Sequence, residues 1–102
     1  MQKQLTLIID KIIEEVRQVQ VLGADDKIIT DITADSRVVE EGSLFICLKG
    51  ATVDGHKFLQ MAVEKGAVAA LVGDVPEEIP EGVTLLVVHD TRKAMEVIVP
   101  YF

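Results

Sequence analysis

Two short polar runs hold the residue types best suited to binding a ligand: Ala34-Asp35-Ser36-Arg37 and Gly50-Ala51-Thr52-Val53-Asp54-Gly55-His56. In the first, the Ser36 hydroxyl offers one donor and two acceptor sites for a carbonyl or phosphate oxygen, and Arg37 adds positive charge. Asp35 is placed either to orient that guanidinium or to accept a turn amide. The same spacing also fits an Asx or serine turn that merely closes a strand. In the second run, Gly50 and Gly55 let backbone approach a ligand closely, and a helix opening after Asp54 favours anions. The run is not a GxxxxGK[ST] phosphate loop, and a capped strand-to-helix loop fits it equally well. Brought together by a sheet, the two runs would form a site for a phosphorylated small molecule.

Other chemistry finds less support. His56 and His89 have no partner at metal-ligand spacing such as HxxxH or CxxC, so no metal site is expected. His56 beside Lys57 adds positive charge near a phosphate, or else caps or packs at a helix start. Ser36, His56 and Asp54 contain the residue types of a nucleophilic triad. No GxSxG elbow or oxyanion turn accompanies them, and no catalytic residue is expected. Cys47 is the only cysteine and lies in an apolar run, which reads as a buried small hydrophobe and excludes a disulfide framework. Glu77, Glu78 and Glu81 fall in a Pro-containing loop and read as a solvated edge.

Length and charge narrow the partners. A chain of 102 residues forms one domain with a core and little room for a second lobe. A formal net charge of −7 argues against nucleic acid, whose phosphates need clustered Lys and Arg. A small anionic ligand held by backbone amides and a few local cations remains compatible. The N-terminal segment is broken by Asp10, Lys11, Glu14 and Glu15, so it is neither a signal peptide nor a membrane span. A cytoplasmic protein with no membrane partner is expected.

The elements that must position these runs follow from periodicity. Leu5, Ile8, Ile9, Ile12, Ile13 and Val16 recur at helical spacing and predict an amphipathic, core-facing helix. After a turn at Gly23-Ala24-Asp25-Asp26, Ile28, Thr30, Ile32 and Ala34 alternate as in a half-buried strand. Leu44 to Leu48 is continuously apolar, as in an interior strand covered on both faces. Asp54 is placed to cap a helix over about His56 to Lys65, ended by Gly66. Ala67 to Val72 and Val83 to Val88 read as strands around a loop from Val75 to Gly82. Asp90 or Thr91 starts a last helix, which Pro100 should interrupt. The predicted fold is α/β: a single small layered domain, its sheet largely parallel or mixed and flanked by helices.

A family resemblance is carried by Asp35-Ser36-Arg37, Glu41-Gly42-Ser43-Leu44-Phe45, Gly50, Asp54-Gly55-His56-Lys57-Phe58 and Ala62-Val63-Glu64-Lys65-Gly66-Ala67. With the later Val87-Val88-His89-Asp90-Thr91-Arg92-Lys93-Ala94-Met95, these segments resemble the N-terminal domain of the Mur ligases from Ile28 onward. The resemblance is greatest to the MurE type, which adds the third peptide residue to a peptidoglycan precursor. The MurF type is the close rival. In this family the first domain holds the uridine-diphosphate end of a UDP-N-acetylmuramoyl-peptide. The central domain binds ATP and Mg²⁺ and forms an acyl phosphate, and the third helps to bind the incoming amino acid.

Carried over by position, the resemblance implies that Ala34 and Ser36 line the nucleotide pocket and that Ala51, Thr52 and Val53 offer backbone amides. Asp35, Arg37, Asp54, Gly55 and His56 would support the turns. No Gly-rich, Lys-containing phosphate loop occurs in the sequence. The central and C-terminal domains, with their ATP, Mg²⁺ and catalytic lysine, are therefore expected to lie outside it. The expectation is an isolated bacterial N-terminal domain, non-catalytic alone, that contacts a central domain in the full-length ligase. A stand-alone interaction module with the same fold is the alternative from another class.

Overall fold

The computed structural model describes residues 2–49 and 54–102. Its central element is a five-stranded mixed sheet in the order β2-β7-β6-β5-β4, formed by β2 (Gln20–Leu22), β4 (Asp31–Thr33), β5 (Ser43–Ile46), β6 (Ala69–Val72) and β7 (Thr84–Val87). Strands β4 to β7 run parallel, and β2 closes the β7 edge antiparallel, with Gln20 opposite Val87. A separate two-stranded ribbon joins β1 (Lys3–Gln4) to β3 (Ile28–Ile29).

Helices cover both faces of the sheet. α1 (Leu5–Val16) and α3 (Thr91–Tyr101) pack against each other on one face. There Leu5, Ile8, Ile12, Ala94 and Ile98 meet Leu44, Ile46, Ala69, Leu71 and Leu86. α2 (Leu59–Glu64) covers the other face, where Leu59 and Ala62 meet Phe45, Cys47, Ala70, Val72 and Leu85. Neighbouring residues of β5, β6 and β7 thus enter opposite cores, which is why these strands read as unbroken apolar runs. None of the described helices is long and apolar enough to cross a membrane.

Several local expectations need correction. The strand foreseen over Ile28 to Ala34 is two strands. Thr30 leaves the ladder because its N–H bonds to the Gly42 carbonyl and its hydroxyl to that of Glu41. The phase at its start is also reversed, since Ile29 is fully buried and Ile28 is 46% exposed. Ile13, placed on the core stripe of α1 by its spacing, is 47% exposed. The helix capped by Asp54 opens as a 3₁₀ turn, Gly55–Phe58, before α2 begins.

Pro100 does not end the last helix, which continues to Tyr101, with the Phe102 N–H bonded to the Ile98 carbonyl at 2.9 Å. Proline forfeits one backbone bond there. The Lys3 and Lys11 ammonium groups, 4.6 Å and 5.6 Å from the Tyr101 ring centre, hold that final turn against the N-terminal elements.

Candidate ligand-binding site

Because β4, β5, β6 and β7 are parallel, the segments that follow them emerge at one edge of the sheet, where open α/β sheets bind ligands. These are Ala34 to Val38 after β4, Leu48 and Lys49 after β5, Gly73 and Asp74 after β6, and His89 to Arg92 after β7.

After β4, Asp35 organises the turn, its own backbone N–H donating to the Thr33 hydroxyl at 3.0 Å. Its Oδ1 accepts the Arg37 backbone N–H at 2.9 Å and Nε at 3.0 Å, and its Oδ2 accepts Nη2 at 2.8 Å. Arg37, through its side chain first and its backbone N–H second, holds the Asp35 carboxyl down at about 2. Ala34 is exposed and Ser36 half-buried. The Ser36 carbonyl accepts the Lys65 ammonium at 3.0 Å, which ties the turn to the end of α2. Among the described residues the Ser36 hydroxyl has no hydrogen-bond partner.

After β5 the chain is clamped around the segment 50–53. Lys49 and Asp54 pair as an antiparallel bridge, and the Gly55 N–H reaches the Leu48 carbonyl at 2.6 Å. A Cβ on Gly55 would lie 2.8 Å from the Leu48 nitrogen, so only glycine fits this approach. Asp54 Oδ1 accepts the His56 backbone N–H at 3.0 Å and faces ring Nδ1 at 2.6 Å. These two bonds, the backbone one first, hold the Asp54 carboxyl below the usual range. The far ring nitrogen, Nε2, accepts the Gly73 N–H at 3.0 Å. With Nε2 acting as acceptor, the ring proton must sit on Nδ1.

The segments after β5, β6 and β7 border a cleft of about 500 Å³ lined by the cations Lys49 and Arg92, the carboxylates Asp74 and Asp90, both histidines, Leu48, Gly73 and Thr91. Lys49 and Arg92 have no carboxylate partner among the described residues. A shallower depression of about 550 Å³ adjoins it through Gly73 and His89 and extends to Arg17. No group of three His, Cys, Asp or Glu side chains suited to a metal occurs among the described residues.

Of the residues singled out from the sequence, His56 stands in the cleft wall, with Asp54 and Gly55 fixing its turn. Ala34 and Ser36 lie at the end of the neighbouring strand and do not line the cleft. Ala51, Thr52 and Val53 lie outside the described residues. His56 Nε2 is committed to Gly73, so no Ser36-His56-Asp54 relay exists. Sequence reasoning missed Lys49, Gly73, Asp74 and Arg92 as cleft residues. Their signal was positional, since each follows an apolar run or opens the helix after one.

The family model described as "Mur ligase family, catalytic domain" matches residues 28–101. The chain belongs to the Mur ligase family. A UDP-N-acetylmuramoyl-L-alanyl-D-glutamate–2,6-diaminopimelate ligase of Bacteroides thetaiotaomicron is 37% identical over 89 residues, which is 87% of this chain and 18% of that protein. The corresponding L-lysine ligase of Staphylococcus haemolyticus is 43% identical over 84 residues, 82% of this chain and 17% of that protein. MurF from Acinetobacter baumannii matches in structure with a TM-score of 0.64 at 34% identity, over 72% of this chain and 16% of that one. The chain therefore spans 16% to 18% of the length of these relatives. It is a MurE-like N-terminal domain, with MurF among its structural neighbours.

Proposed function

We propose that this Mur ligase domain binds the UDP-N-acetylmuramoyl end of a peptidoglycan precursor for a MurE-type, ATP-dependent ligase of the bacterial cytoplasm. One observation carries the reading. The relatives' names differ in the amino acid added, diaminopimelate or L-lysine, and share UDP-N-acetylmuramoyl-L-alanyl-D-glutamate, yet this chain matches both kinds. A region common to both fits the shared substrate better than the variable one. The cleft at the parallel strand ends lies where open α/β sheets bind ligands and offers Lys49 and Arg92, beside Asp74 and Asp90, to the charged handle of such a substrate. ATP and Mg²⁺ then belong to the rest of the ligase, and this domain alone catalyses nothing.

Titration of the chain with UDP-N-acetylmuramoyl-dipeptide, followed by amide NMR, tests the reading. Shifts should appear at Ala34, Ser36 and residues 51–53, the positions the family resemblance implies, and at Lys49, Gly73 and Arg92 of the adjoining cleft. Binding should be weak, because one domain offers only part of a site closed between domains. Ser36→Ala should weaken binding by about 0.5–1.5 kcal/mol through loss of one neutral hydrogen bond. Unmoved spectra at millimolar ligand would instead favour an interaction module that keeps the fold. ATP hydrolysis by the purified chain, abolished by a substitution within it, would refute the non-catalytic assignment.

A further inference from the structure

The geometry points to His56 as a positioning residue: its neutral imidazole, protonated at Nδ1, latches the base of segment 50–53 to the end of β6 and so sets the shape of the cleft. The part of this inference that concerns ligand rests on the nucleotide-binding reading above.

The latch is a chain of contacts across two strands. Lys49 and Asp54, which bracket segment 50–53, are paired through their backbones. Asp54 is fixed by the two bonds from His56, and His56 by the bond from Gly73. The pairing of β5 with β6 runs to Ile46 opposite Leu71, and beyond it the Gly73 N–H finds its acceptor in the imidazole. A side chain thus completes the sheet where the backbone of β5 has turned aside. The ring is held mostly out of solvent, with its side chain 19% exposed, and it forms cleft wall beside Gly73 and Thr91.

The chemical demand is specific. The position needs a donor toward Asp54 and an acceptor toward Gly73 at opposite ends of one rigid group. Asn and Gln carry both functions on one terminus, Lys and Arg have no acceptor, and Ser is too short to span the gap. Imidazolium fails too, because it would set an N–H against the Gly73 N–H. Only the Nδ1–H tautomer of neutral histidine meets both partners.

Long-range ¹H–¹⁵N correlation of the ring in the free chain should report an Nδ1-protonated tautomer, and the Gly73 amide should exchange slowly. His56→Phe keeps the ring and removes both nitrogens. It should speed Gly73 exchange about tenfold, displace the amide signals of residues 51–53, and weaken UDP-N-acetylmuramoyl-dipeptide binding by a similar factor. An Nε2-protonated ring, or Gly73 exchange unchanged in the variant, would overturn the latch. The tautomer is read on the natural chain, so it decides the matter even where the variant fails to fold. A chain that binds no nucleotide yet shows the tautomer and the protected amide retains the latch and loses the functional reading. A variant that frees Gly73 but binds nucleotide as tightly as the natural chain removes the positioning role alone.

Discussion

Asp35 and Asp54 perform the same local task on neighbouring strand ends. Each has an extended backbone, with φ −105° and −106°, and each accepts the N–H two residues ahead to open a 3₁₀ turn. This device was legible in the sequence, because Asp before Ser-Arg or Gly-His is a known turn former. The third bond of His56, from Gly73, was not legible, since that amide is brought to it only by the pairing of β5 with β6. The acid response follows from the carboxylates. Both are held below their ordinary value of 3.8, Asp35 at about 2. A depressed carboxylate stabilises the folded chain fully above its unfolded value, and that contribution fades as pH falls through the folded one. Both turns should therefore keep this contribution above about pH 4, and the Asp35 turn should loosen as pH falls from about 4 toward 2. Carboxyl ¹³C titration should place the Asp35 midpoint near 2, and an ordinary midpoint would mean that the Arg37 pair does not persist in solution.

The elements that were legible are those with a sustained period. α1 announced itself through Leu5, Ile8, Ile9 and Ile12, and β5, β6 and β7 through apolar runs bounded by turns. β1 and β2 carry too few residues to show any period, and each exists because a distant strand offers it an edge. Thr30 broke its strand for a tertiary reason, its bonds to the turn at Glu41 and Gly42. Gly66 illustrates a boundary that was foreseen but is stricter than expected. It has φ +116°, and a Cβ there would come within 2.8 Å of the Glu41 backbone, where the end of α2 meets the turn before β5. Gly66→Ala should cost about 1–3 kcal/mol, from left-handed strain together with displacement of that turn. Urea denaturation measures it, and a loss below a few tenths of a kcal/mol would show that the turn yields freely.

Across the molecule, the family match starts at residue 28, but the fold does not. Leu5, Ile8, Ile9 and Ile12 of α1 are buried against the sheet. At about 1.5–3 kcal/mol each, they contribute as much as the whole net stability of a typical small domain. A chain lacking residues 1–27 should bind hydrophobic dye and lose cooperative unfolding, whereas a sharp thermal transition in that fragment would show the helix to be dispensable. The antiparallel seat of β2 on β7 has a further consequence, for biosynthesis. The ribosome releases Gln20 long before Val87, its partner. The first apolar helix and its strand must therefore wait without a mate until nearly all of the domain has emerged. Completion of the sheet at that edge thus rests on a contact of high sequence separation, the kind that forms late and slowly.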